Sequence, residues 1–364
     1  MKKQFDRNSF ASGSVKRRNF LAATGGVLAA LSTNFFAQAQ NSSSHLIHPK
    51  ALRPGDTVGL ITPATYVADP DQLALAERTL RYFKLRVKMG RNVGKRAGYF
   101  GNPVSGRLDD FHAMFRDTEV RAVFCVRGGY GTAQLLDRID YDLVRRNPKI
   151  FLGYSDITAL HLAINKLARL VTFHGPVALS RFSLYTQNSF RQSLFQTAPI
   201  VELTNPAEND LLRPAHTLRA VRPGAASGRL IGGNLTLVST TLGTPYEIDT
   251  RDAILFLEDV DEEPYRIDRM LTHLRLAGKF KNVRGIIFGE CKDCRASDYK
   301  PSLSNPYSLG EVLDNAFGEL KVPVLSGLAI GHTDDQLTLP LGVAATLDAD
   351  KGTLTLRESG VVPA

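Results

Sequence analysis

The chain has 364 residues, 43% hydrophobic and 22% charged, with 45 Lys and Arg against 36 Asp and Glu and a formal net charge of +9. That length supports two domains, each with its own core. No basic run interleaved with aromatics marks a nucleic-acid groove, so no nucleic-acid partner is expected.

In chain order, the first signal is Lys16-Arg17-Arg18-Asn19-Phe20-Leu21, followed by the apolar stretch LAATGGVLAAL and by Ala37-Gln38-Ala39. A twin-arginine pattern, a short apolar region and an A-x-A site together read as a Tat export signal over residues 1–39. The apolar run is well short of the roughly 20 residues a spanning helix needs. The mature chain is thus expected to begin at Gln40, in the periplasm, with no stable membrane insertion after cleavage. The signal carries six of the basic residues and one acidic residue, so the remaining chain has a net charge of only about +4. Much of the basic character belongs to export.

From Asp56 onward short apolar runs alternate with longer segments of helical period. TVGLI (57–61) predicts a strand, and Leu73, Ala76, Leu80 and Phe83 share one face of a following helix. AVFCV (122–126) and KIFL (149–152) predict further buried strands, with helical patterns at 130–138 and 157–168. Strand alternating with helix implies a mostly parallel sheet covered on its faces, with ligands beyond the carboxyl ends of the strands. Between 196 and 226 the periodicity fails, and this stretch reads as a linker. Beyond it ILFLE (254–258), GIIFG (285–289), PVLSGLAIGH (323–332) and ATLDADKGTLTLRE (345–358) are strand-rich, with one helix near 264–277 and a hairpin turn at Ala349-Asp350-Lys351-Gly352. The expected organisation is an α/β unit over 46–195, the linker, and a β-rich α+β unit over 227–364. Cys291 and Cys294 form a lone CKDC, a weak zinc signal; an incidental pair is the first reading and a local disulfide the second.

Four segments put polar residues directly after apolar runs. Arg127-Gly128-Gly129-Tyr130-Gly131 follows AVFCV, and its glycines let backbone N–H groups approach an anion, although it lacks the spacing of a P-loop or a dinucleotide motif. In FLGYSDITALH (151–161) Ser155 stands where strand gives way to helix. Taken alone it reads as a helix cap, since Ile157 occupies the second glycine of a G-x-S-x-G elbow. Glu258 ends ILFLE, and His332 follows the run PVLSGLAIG; His174, after VTF, is the rival histidine. Singly each is better explained as structural. Together a serine, a carboxylate and a histidine at strand ends are the nucleophile, orienting group and base that acyl transfer requires.

These residues sit in a series of ordered motifs: RPGD, RGGYG, PKIFLGYSDITALH, HGP, IGGNLTLVSTTLGTP, FLEDVDEEPYRIDRML and GHTDDQLTLPLG. From about Leu52 to the C-terminus the sequence resembles the LD-carboxypeptidases, serine peptidases that include muramoyltetrapeptide carboxypeptidases and microcin C immunity peptidases. The resemblance implies a flavodoxin-like N-terminal domain, a smaller β-rich C-terminal domain and a site between them. It implies Ser155 as nucleophile, Glu258 as orienting acid and His332 as base, with an oxyanion hole at the backbone N–H groups of Gly129 and Asp156. It further implies a small murein tetrapeptide substrate cut between meso-diaminopimelate and D-alanine, no metal or organic cofactor, and a homodimer. Two other readings are a microcin-type detoxifying peptidase on the same scaffold and a periplasmic protein that binds murein peptides without cutting them. The export signal points to trimming of stem peptides in the periplasm rather than to cytoplasmic recycling.

Overall fold

The computed structural model describes residues 46–207, 212, 214–299 and 301–364; the twin-arginine and cleavage motifs lie outside the described residues. Strands β1 (Thr57–Ile61), β2 (Arg86–Met89), β3 (Val120–Cys125), β4 (Ile150–Gly153) and β5 (Thr172–His174) pair in parallel in the order β2-β1-β3-β4-β5. This is the flavodoxin-like strand order, with its reversal between β1 and β3. Successive side chains face opposite ways. Phe124 and Leu152 therefore enter one apolar cluster while Val123 and Phe151 enter another on the other face.

Helices cover both faces, and their ends follow local chemistry. Helix Pro70–Tyr82 begins at Asp69, whose side chain accepts from the Asp71 N–H, and has proline in its first turn; Ala76 and Leu80 are its buried residues. Helix Val104–Arg116 buries Leu108, Phe111, Met114 and Phe115. The pattern at 130–138 is a 3-10 helix, Thr132–Arg138, entered through Gly131 at φ +116. The pattern at 157–168 is α-helical over Thr158–Ala163 and widens to a π-helical turn over Ile164–Ala168.

The second sheet contains β6 (Arg219–Arg222), β7 (Ala225–Asn234), β8 (Ala253–Glu258), β9 (Gly285–Gly289) and β10 (Val324–Leu328). After β10 comes β11 (Leu339–Leu341), then β12 (Ala344–Asp348) and β13 (Thr353–Leu356). Its order is β13-β12-β7-β8-β9-β10-β6, and the central run β7 to β10 is parallel. The β12–β13 hairpin turns at 349–352, where the sequence pattern put it. Strand β11 leaves this sheet and pairs antiparallel with β5, Leu339 opposite His174. One apolar cluster runs from Leu60, Phe124 and Leu152 to Leu255, Phe256 and Ile287, so the two sheets share a core.

Three features differ from the sequence expectation. The stretch read as a linker contains β6 and the start of β7; β6 is an edge strand carrying Arg219 and Arg222, and such charged edges show no apolar period. Helix Leu309–Phe317 lies in a region read as strand-rich, although Ser308 and Glu311 form the capping box that announces it. Cys291 and Cys294 are bonded to each other, the second of the two readings, with Cα atoms 5.4 Å apart and so within bridging reach.

Candidate active site

Parallel strands all present their carboxyl ends on one side, and here two parallel sheets turn those ends toward a single cleft. From the first sheet come Arg127–Gly131 after β3, Ser155 after β4 and His174 at the end of β5. From the second come Asn234 at the end of β7, Glu258 at the end of β8, Glu290 after β9 and His332 beyond β10.

Ser155 begins a short 3-10 helix, Ser155–Ile157, with φ +64. A left-handed conformation costs a non-glycine residue roughly 1–2 kcal/mol, and it is the conformation of a nucleophile on a sharp strand-to-helix turn. The N-cap position of that helix belongs to Tyr154 rather than to Ser155. Ser155 Oγ donates to His332 Nε2 at 3.0 Å. Crowding explains the neighbouring glycines: a Cβ on Gly128 would lie 2.9 Å from Ser155 Cβ, and one on Gly153 would lie 3.0 Å from Ile157. Ile157 thus packs over the glycine two residues before the serine, and the elbow forms without a second glycine.

The other ring nitrogen, His332 Nδ1, donates to Glu258 Oε2 at 2.8 Å, which fixes the tautomer that leaves Nε2 as acceptor. Glu258 is 0% exposed. Burial raises its carboxyl above the usual range, and the hydrogen bond and charge of His332 act the other way. For His332 burial is the largest influence and disfavours the imidazolium, yet the Glu258 bond and charge together outweigh it and hold the ring above its ordinary value. Gly331 has φ +96, and a Cβ there would lie 2.1 Å from Glu258 Oε2, so only glycine lets this loop pass the carboxylate.

Asp156 is buried; its Oδ2 accepts the Thr132 N–H at 2.8 Å and its carbonyl accepts the Thr132 hydroxyl at 2.5 Å. Burial raises its carboxyl, against the Thr132 bonds. Its own N–H is at the second position of the short helix, among the amides that a helix leaves unpaired. Gly129, at φ +118, lies beside Ser155 in a cavity of about 350 Å³ whose lining also includes Arg127, Tyr154, Ser180 and His332. His174, the rival histidine, is fully buried with neither ring nitrogen hydrogen-bonded among the described residues, and burial holds it well below its ordinary value. It does not reach Ser155.

The structure brings Ser155, Glu258 and His332 together and leaves His174 apart. A group that the sequence reading passed over is His216, whose Nδ1 bonds Glu290 at 2.5 Å and whose Nε2 bonds Asp335 at 3.1 Å. The signal was present: Glu290 directly follows the apolar strand β9, much as Glu258 ends β8.

Residues 58–175 match the family model for the LD-carboxypeptidase N-terminal domain, and residues 227–347 match that for the LD-carboxypeptidase C-terminal domain. Over 318 residues the chain is 43% identical to the "Probable murein peptide carboxypeptidase" of Bacillus subtilis, covering 86% of this chain and 95% of that protein. The chain belongs to the LD-carboxypeptidase family. Among solved structures, this LD-carboxypeptidase family member is similar to MccF in complex with glutamyl sulfamoyl guanosine, with a TM-score of 0.78 and 27% identity over 86% of this chain and 99% of that one. It is also similar to muramoyltetrapeptide carboxypeptidase from Oxalobacter formigenes, with a TM-score of 0.72 and 30% identity over 85% of this chain and 100% of that one.

Proposed function

We propose that this LD-carboxypeptidase family member is a serine peptidase that releases D-alanine from murein stem tetrapeptides by cutting the bond after the L-centre of meso-diaminopimelate. The observation that carries the reading is the imidazole of His332 held between Ser155 Oγ and Glu258 Oε2.

On this reading His332 Nε2 takes the Ser155 proton as Oγ attacks the carbonyl, and the Nδ1–H to Glu258 bond stabilises the imidazolium that forms. The tetrahedral oxygen faces the N–H groups of Gly129 and Asp156. The imidazolium then protonates the leaving amine of D-alanine, and water, deprotonated by the same nitrogen, clears the acyl-enzyme. Arg127, in the same cavity wall, supplies a cation for the free carboxylate of the leaving residue. The twin-arginine pattern at Arg17-Arg18 supports action in the periplasm.

The test is incubation of the mature protein with L-Ala-γ-D-Glu-meso-diaminopimelate-D-Ala, with free D-alanine as the readout. Release of D-alanine by the wild-type protein and not by Ser155→Ala is expected. No release, with hydrolysis of a glutamyl sulfamoyl nucleotide instead, would replace this reading with that of a microcin-type amidase.

A further inference from the structure

A second cavity, of about 560 Å³, adjoins the one that contains Ser155. The two are lined by consecutive stretches of the same two segments: Leu179, Ser180 and His332 on one side of the join, Arg181, Ser183 and Thr333–Asp335 on the other. Its floor is half-buried and polar. His216 lies there between Glu290 and Asp335, and Ser183 also donates to Asp335. Burial is the largest influence on His216 and lowers it, but the two carboxylates outweigh burial and raise it.

The rim carries charges of both signs. Arg181 and Asp334 pair at 2.7 Å, and both are exposed. Lys292 is exposed as well, in the short loop closed by the Cys291–Cys294 disulfide. That loop is tied to the strand end that bears Glu258: Asp261 N–H donates to the Lys292 carbonyl at 2.9 Å, and Val260 bridges to Lys292. Lys292 lines the second cavity together with Thr333, the residue that follows His332.

A cavity lined by Arg181, Lys292, Asp334, Asp335 and Glu290 presents cations and carboxylates together. It complements a zwitterion better than it complements either ion alone. A carboxylate oxygen has more than one acceptor site, so Asp335, which accepts from Ser183 and His216, can also receive an ammonium. Resting on the carboxypeptidase reading, we propose that this cavity is the subsite for the distal amino-acid head of the diaminopimelate side chain. The head's carboxylate faces Lys292 and Arg181, and its ammonium faces Asp335. The head is four bonds from the L-centre, on the order of 5 Å when extended, and the wall of the second cavity begins at Thr333, the residue next to His332.

The experiment compares stem tetrapeptides that carry meso-diaminopimelate or L-lysine at the third position, which differ only in the distal carboxylate. Wild-type kcat/KM should favour the diaminopimelate peptide by about tenfold or more, because the lysine peptide leaves the cationic rim without its partner. Lys292→Met should shrink that ratio severalfold, and Lys292→Met with Arg181→Met should bring it near unity. A wild-type ratio near one, or a ratio that the double variant leaves intact, overturns the proposal. If the variants fold poorly, calorimetric titration of Ser155→Ala with both peptides reads the same preference in Kd, and equal affinities overturn it. Failure of the carboxypeptidase reading is separable: no D-alanine from either peptide, with tighter binding of the diaminopimelate peptide by Ser155→Ala, removes the reaction and keeps the subsite.

Discussion

Thr158, three residues beyond Ser155, accepts a hydrogen bond at 3.0 Å from the backbone N–H of Asn234, the last residue of β7. Asn234 in turn donates its side-chain amide to Asp259, next to Glu258. A buried chain of polar contacts therefore joins the turn bearing Ser155 to the strand bearing Glu258. Thr158→Val keeps the shape and removes the acceptor, leaving a buried N–H unpaired at about 1–3 kcal/mol. Thermal unfolding should show that loss, and kcat should fall more than KM rises. Unchanged stability and kcat would mean that the contact positions nothing.

Ser155→Ala, His332→Ala and Glu258→Ala should each lower turnover by several orders of magnitude without unfolding the protein, and double variants should lose little more than single ones, because the three act as a unit. His174→Ala should act chiefly on stability, as expected for a buried ring packed against Phe256. Turnover near wild type in Ser155→Ala would remove the nucleophile assignment.

The pH profile follows from the raised value of His332. The base must be neutral, so activity falls as pH drops through its pKa, and the acid limb of kcat/KM should lie above the ordinary histidine value of about 6.5. Glu258→Gln removes the charge that opposes burial, so the limb of the residual activity should move to lower pH. A limb that stays in place would show that Glu258 does not set the basicity of His332.

The free carboxylate of the terminal D-alanine should contribute to binding. Amidating it, or extending the peptide to D-Ala-D-Ala, should lower kcat/KM by roughly two orders of magnitude, as expected when buried donors lose their charged partner. Terminal L-alanine should also be a poor substrate, since inversion misdirects the carboxylate. Arg127→Met should slow the acid substrate and narrow the gap between acid and amide; an equal loss on both would take Arg127 out of carboxylate recognition.

Export is tested in the cell. Arg17→Lys with Arg18→Lys should leave the precursor in the cytoplasm, whereas the wild-type chain should appear in the periplasm beginning at Gln40. Normal processing of the double variant would exclude the twin-arginine route.

Much of this site is legible in the sequence because parallel sheets follow a simple rule: polar residues after apolar strands reach the cleft. That rule finds Ser155, Glu258 and His332, and the motif resemblance assigns their roles. Other features depend on contacts between distant segments. The left-handed turn at Ser155 has room only because Gly128 and Gly153 lack a Cβ, and nothing in SDITALH alone distinguishes it from an ordinary cap. His216 lies in a stretch without periodicity, and its meaning comes from Glu290 and Asp335, 74 and 119 residues away. Strand β6 shows no alternation because it is a charged edge.

Strand β11 sets a limit on how this enzyme can move. Seven residues after His332 the chain returns to the first sheet, where Leu339, Pro340 and Leu341 pair with His174, Phe173 and Thr172. Swinging the two sheets apart would have to break that ladder and expose Leu339 and Leu341, both fully buried. Ser155, Glu258 and His332 are thus held together before any peptide arrives, and admission and exit belong to the rim of the cleft. Turnover should accordingly be indifferent to solvent viscosity beyond its effect on encounter, unlike that of an enzyme that must close around each substrate.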